Sequence, residues 1–206
     1  LISHIGVTPE IQKVAQLQVQ ATIKSMKSNW KLSRLMDQLK EEGGFIAYHS
    51  LLLAYISCMI AARTPWAGEY TAYKLSFAAF MHDMALKNQE LAKLDSLADL
   101  ERRRKEFTDK DVQDFKLHPV RAAELCRQFK EVPFDVETIV MQHHERPDGA
   151  GFPRGLKAHK INPLSAVMIV GHELIYFMRN AGKSFRMEDF IACMQHYYTG
   201  DFQQIL

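Results

Sequence analysis

The stretch Val136-Glu137-Thr138-Ile139-Val140-Met141-Gln142-His143-His144-Glu145-Arg146-Pro147-Asp148-Gly149-Ala150-Gly151-Phe152-Pro153 carries the two signals that decide the fold. Its first part spaces Val136, Ile139 and Val140 by three and then one, so that they share one face of an α-helix. That helix runs out in two adjacent imidazoles and an acidic, glycine-rich turn, a combination suited to a metal centre that also handles an anionic ligand.

Working outward, helical spacing recurs along most of the chain, as in Leu32, Leu35, Met36 and Leu39, and the alternation of strands is hard to find. Helices are predicted over about 8–27, 30–41, 45–63, 66–86, 109–129, 134–143, 163–180 and 187–198. The expected class is therefore all-α. Thr108 with Asp111 resembles a capping box opening one helix, and Pro65 and Pro133 stand where the preceding helix should have ended. Residues 87–107, with Lys87-Asn88-Gln89 and the run Glu101-Arg102-Arg103-Arg104-Lys105-Glu106, read as lacking an apolar stripe and are expected to form an exposed or mobile connection.

A length of 206 residues with 47% hydrophobic and 24% charged content fits one ordinary globular core. The net charge of +2 provides no whole-protein field for nucleic acid, so anion binding has to come from local lysine and arginine. Leu51 to Ala62, the longest strongly apolar run, is well short of the roughly 20 residues a membrane span needs. Cys58, Cys126 and Cys193 are widely spaced among apolar neighbours, as expected of buried thiols in a reducing, cytoplasmic setting.

Nine histidines are the chemical signal. His49 opens an apolar helix, and His82-Asp83 ends the helix of Leu75-Ser76-Phe77-Ala78-Ala79-Phe80-Met81. His118-Pro119 opens or breaks a third, and His143-His144 ends a fourth. A lone helix-terminal histidine usually just bonds a carbonyl. A series of them lets separate helices bring their polar ends to one point, which is how helical bundles build metal sites.

Taken in order, His49-Ser50, His82-Asp83, His118-Pro119, His143-His144-Glu145, Asp148-Gly149-Ala150-Gly151-Phe152-Pro153 and Gly155-Leu156-Lys157 resemble the HD-GYP family, the bacterial branch of the HD-superfamily phosphohydrolases that cleave cyclic di-GMP. The resemblance covers about residues 45–186. It implies a helical bundle of the HD superfamily with a central metal site, occupying 41–206 and preceded by a helical segment or linker over 1–40. The ligands it implies are His49, His82, Asp83, His118, His143 and His144, with Asp83 bridging. The late ligand is His172 or Glu173, depending on one inserted residue. His172-Glu173-Leu174-Ile175-Tyr176 lacks the second histidine of a zincin helix. Two divalent transition-metal ions are expected, iron first and manganese as the alternative.

Three departures qualify the resemblance. Phe152 replaces the tyrosine of the family name, which places the chain in the subset lacking it. Leu86 replaces the motif lysine, leaving neighbouring Lys87 as the substitute catalytic group beside Asp83. Phe45 stands where versions with a third metal carry glutamate. On the substrate side, Arg121, Arg154 and Lys157 are candidate phosphate contacts, with a solvated helix face as the plain alternative. Asp148, Gly149, Gly151 and Phe152 would shape the binding turn, and Glu145 is expected to hydrogen-bond and orient a histidine.

The implied activity is phosphodiester hydrolysis of cyclic di-GMP or a related nucleotide in bacterial signalling, attenuated by the lost lysine and tyrosine. The alternative is a sensor or scaffold that keeps metal and fold but binds nucleotide or a protein partner without efficient turnover. Ile11, Val14, Leu17, Val19, Ile23 and Met26 give residues 1–40 a partly apolar helix. That helix is expected to pack on the domain, to link it to an upstream sensor, or to form a homodimer surface.

Overall fold

The computed structural model describes residues 44–130, 132–198, 202 and 205, together with 8–10, 13, 14, 16, 17 and 20. The helices expected over 8–27 and 30–41, and the boundary near 40, lie outside the described residues apart from helical positions between 9 and 20. Of the apolar stripe expected there, Val14 and Leu17 are described and exposed.

Seven α-helices follow from residue 45 onward: α1 Phe45–Ala61, α2 Glu69–Met81, α3 Leu97–Arg102, α4 Asp109–Cys126, α5 Val136–Gln142, α6 Pro163–Ala181 and α7 Met187–Tyr197. No strand occurs among the described residues; one antiparallel bridge joins Asp148 to Lys157 across the glycine-rich turn. The chain is all-α, as its spacing implies. No described helix is long and apolar enough to cross a membrane.

Local chemistry sets the helix starts. Thr108 Oγ1 accepts from the Asp111 amide at 3.1 Å, and Asp111 returns the bond by accepting from the Thr108 amide at 2.9 Å, satisfying two otherwise orphaned donors at the start of α4. Asn162 caps α6 by accepting from Leu164 at 2.8 Å, with Pro163 where a missing N–H costs nothing.

The main core gathers Leu53, Cys58, Leu75, Phe77, Ala122, Ile139, Val140, Val167 and Met168 from α1, α2, α4, α5 and α6. A second cluster seats Phe190 and Met194 of α7 on Ile169 and Val170 of α6. Gly171 lets α6 press on α1, since a Cβ there would come within 2.9 Å of Ser57 Oγ. That close approach carries its neighbour His172 toward the His49 helix.

The expectation for residues 87–107 is corrected. The segment holds α3 and two short 3-10 turns, and it buries Leu91, Leu94, Leu100 and Phe107 with Leu86, Phe115 and Phe152 in a third cluster. Its apolar side chains at 91, 94, 97 and 100 are three apart, and the dense charge around them hides that stripe. The segment is a packed cover over one side of the bundle.

Candidate metal centre

Three histidines reach the centre by the same local device. His82 follows the last residue of α2, and its Nδ1 lies 2.7 Å from the carbonyl of Ala79. His143 caps α5, with Nδ1 2.6 Å from the carbonyl of Val140. In both cases the end of the helix leaves that carbonyl without its usual partner. His118 lies inside α4, yet the next residue is Pro119, which has no N–H to give the Phe115 carbonyl four residues earlier. His118 Nδ1 takes that acceptor at 2.6 Å. The proline therefore neither opens nor breaks the helix; it frees a carbonyl that orients a ring.

An Nδ1–H donated to a carbonyl leaves Nε2 as a bare lone pair, the form in which imidazole binds metal. His118 Nε2 and His143 Nε2 stand 3.0 Å apart, and His118 Nε2 is also 3.5 Å from Asp83 Oδ1. Two lone pairs at 3.0 Å repel unless a cation lies between them. Asp83 Oδ2 is 3.1 Å from His82 Nε2, but neither atom has a properly directed hydrogen bond, and both nitrogens of buried His49 are also without a hydrogen-bond partner. Unpaired buried polar atoms cost free energy. A shared metal would satisfy Asp83, His82 and one nitrogen of His49.

The donor atoms form overlapping groups within which all lie inside 4.8 Å: His49, His82 and His172; His118, His143 and His144; and Asp95, His144 and His172. The exposures of His49, His82, Asp83, His118, His143, His144 and His172 run only from 0% to 6%. Burial holds the His118 imidazolium down to about 4, opposed by the Asp83 charge, and pushes His49, His143 and His144 well below their ordinary value. Burial works against the Asp83 carboxylate, but His82, His118 and His49 outweigh it and keep Asp83 well below the usual carboxylate range. At neutral pH His49, His118, His143 and His144 are therefore neutral imidazoles beside an anion. The residues present fit a nitrogen-rich divalent transition-metal site.

Of the two candidates for the late ligand, the structure brings His172 into the cluster. Glu173 turns to Arg146 at 2.9 Å and to the Tyr198 hydroxyl at 3.4 Å. Burial pushes its carboxyl up to about 8, with Asp95 adding to the push and Arg146 opposing it. Glu145 also departs from expectation. Its carboxylate accepts from the main-chain amides of Arg154 at 2.8 Å and Leu156 at 2.7 Å, so it fastens the glycine-rich turn rather than steering a histidine.

Within that turn Gly151 is required by space: a Cβ would fall 2.3 Å from the Arg146 nitrogen. Gly149 has φ +84°, a conformation that favours glycine, and Asp148 accepts from the Ala150 amide at 2.9 Å. Phe152, buried, stacks on His144 with centroids 4.6 Å apart and rings 15° from parallel, so it braces a histidine from behind. Arg154 and Lys157 are exposed just beyond it.

Lys87 does not fill the place of the motif lysine. It is exposed and lines a groove with Lys110, Asp114, Arg121 and Glu124, in which none of the clustered histidines takes part. Arg121 is ion-paired with Asp114 there. Leu86, Phe152 and Phe45 meet in the third cluster, with Phe45 on its margin and stacked on His49 at 5.5 Å. Asp95, which sequence reasoning missed, bonds His172 from the cover segment at 2.8 Å. The signal for it was an acid set directly after Leu94 in the overlooked three-residue stripe.

The family described as HD domain matches residues 44–175. Among solved structures, an HDG"Y"P protein from Bdellovibrio bacteriovorus aligns over 99% of this chain with 16% sequence identity and a TM-score of 0.68, a likeness that shows the fold. The chain spans 65% of the length of that protein. No curated protein matches the chain.

Proposed function

The chain belongs to the HD-domain family, which generally comprises metal-dependent hydrolases, and from that membership we propose a phosphodiesterase of HD-GYP type acting on cyclic di-GMP or a related nucleotide. One observation carries the reading. His82, His118 and His143 each spend Nδ1 on a carbonyl three residues back, and His118 and His143 bring their bare Nε2 atoms to 3.0 Å. His49, His82, Asp83, His118, His143, His144 and His172 would hold two divalent ions, with iron or manganese suited to the mixed nitrogen and oxygen donors. Such ions supply water activation and neutralise the charge that develops on a phosphate ester.

The chain's own residues do the rest. Asp83 lies beside both His82 and His118 and so presents its two oxygens to two ligand groups. Glu145 fixes the turn that carries Arg154 and Lys157, and those exposed cations are disposed to meet substrate phosphate. A second reading, a sensor or scaffold without efficient turnover, is favoured by the packing of Leu86, Phe152 and Phe45 beside the histidines.

Metal analysis of anaerobically purified protein, paired with a cyclic di-GMP turnover assay before and after chelation, separates the readings. The expected result is stoichiometric transition metal and chelator-sensitive hydrolysis. The rate should be about tenfold to a hundredfold below that of a relative retaining lysine and tyrosine, the effect of one lost charge-assisted contact in the transition state. Tight nucleotide binding by metal-loaded protein with no hydrolysis would sink the enzyme reading in favour of the sensor.

A further inference from the structure

Asp95 belongs to none of the motif pieces, yet its Oδ1 accepts from His172 Nδ1 at 2.8 Å, and the two side chains are only 8% and 5% exposed. The bond is one of several that join the cover segment to a single face of α6. The Tyr176 hydroxyl donates to Asp99 Oδ1 at 2.6 Å, and the Arg179 guanidinium donates to the Lys93 carbonyl. His172, Tyr176 and Arg179 are spaced by four and three, so they stack along that face. The cover is thereby fixed in register, and Asp95 is the contact that reaches the centre.

We propose that Asp95 is a positioning residue of the metal centre. By accepting the Nδ1 proton it fixes the tautomer and rotation of His172, aims Nε2 at the group formed with His49 and His82, and raises the basicity of that nitrogen. The consequence is electrostatic as well as geometric. An imidazole at the late position carries no charge of its own, and the carboxylate behind it returns negative charge to the centre through the ring. His172 and Asp95 together do what one anionic ligand would do. Phe45, stacked on His49 and faced by the Lys93 and Arg179 cations at 5.7 and 5.5 Å, closes the same corner.

The inference rests on the reading of the histidine cluster as a metal site, and its test reads metal rather than turnover. Full-length Asp95→Asn, Asp95→Glu and wild-type protein are loaded with iron or cobalt and titrated with a competing chelator. The visible spectrum of the cobalt form is recorded alongside. Asp95→Asn keeps an acceptor for the His172 proton but removes the charge. It should bind metal about 10–100-fold more weakly and shift the cobalt bands, with the metal-free melting temperature close to wild type. Asp95→Glu should recover part of the affinity.

Wild-type affinity and an unchanged spectrum in Asp95→Asn would overturn the proposal, leaving Asp95 as a strap alone. Loss of one ion outright, with the other held as before, would also overturn it by making Asp95 a direct ligand. Metal bound by wild type without hydrolysis sinks only the hydrolase reading; no metal bound by wild type sinks both.

Discussion

The histidine centre and the apolar wall beside it are built from adjacent stretches of chain but obey different rules. At the centre the motif residues His49, His82, Asp83, His118, His143 and His144 come together, and the rings of His82, His118 and His143 are fixed by carbonyls that helix ends or a proline release. In the wall the three departures from the motif meet: Leu86 and Phe152 share one buried cluster with Leu91, Leu94 and Phe115, and Phe45 borders it. The difference teaches that these are not three independent losses. Where the HD-GYP motif has a lysine, a tyrosine and, in versions with a third metal, a glutamate, this chain has side chains that pack together, and residues 87–107 complete the packing.

The largest effect should come from the centre. Asp83 is the anion nearest two of the imidazoles, at 3.1 Å from His82 and 3.5 Å from His118. Replacing it with Ala removes the charge that makes a cluster of neutral rings attractive to a cation. Asp83→Ala is expected to lose nearly all bound metal when loaded as wild type is, measured by metal analysis. Full occupancy in the variant would break the bridging role and with it the contrast between centre and wall.

A smaller effect is expected in the wall. From sequence, Leu86→Lys with Phe152→Tyr reads as a restoration of the motif. In the structure Leu86 is 7% exposed and Phe152 6%, in one apolar cluster that borders His144. An ammonium placed there would have to leave or disrupt the packing with Leu91, Phe115 and Phe152, and a hydroxyl on Phe152 requires an acceptor. Leu86→Lys should therefore destabilise the fold by about 3 kcal/mol, and Phe152→Tyr by about 1 kcal/mol, read from denaturant unfolding at constant slope. Turnover should not rise. A stable Leu86→Lys protein with faster hydrolysis would show that the wall is not a packed unit.

Most helices were legible because their apolar spacing is set by burial on one face, as in α5 and α6, and the histidine series was legible because His82, His118 and His143 mark a helix end or a proline. What escaped has physical causes too. The stripe at 91, 94, 97 and 100 escaped because Lys93, Asp95, Asp99 and the following arginines dominate the composition, although Asp95 and Asp99 point inward to His172 and Tyr176. The roles of Glu145 and Glu173 escaped because an acid beside a histidine ligand reads the same whether it bonds the ring, a main-chain amide or an arginine. Chain folding at the turn decides among these, and that depends on residues nine to twenty-seven positions away.

The smallest effect sharpens the comparison through pH, in protein stripped of metal. His118 in the unfolded chain takes up a proton as the pH falls through about 6.5, whereas burial delays the folded form until about 4. Within that window the unfolded state holds more protons, so stability rises with pH and is lost on acidification. His118 alone should cost about 2 kcal/mol between pH 6.5 and pH 5, and His49, His143 and His144 act in the same direction. Asp83, held low, adds its own loss only at still lower pH. The buried wall residues Leu86, Leu91, Leu94, Leu100, Phe107, Phe115 and Phe152 do not titrate, but Glu173, held up to about 8, keeps a proton in the folded state through the same window and opposes the slope, so the measurement belongs in a Glu173→Gln background. Urea unfolding of chelated Glu173→Gln protein at pH 7, 6 and 5 measures it, and adding His118→Gln should make it shallower. An unchanged unfolding free energy from pH 7 to pH 5 would mean that the buried rings gain protons as easily as free histidine, and the centre would not be the neutral, lone-pair-lined cage that its geometry describes.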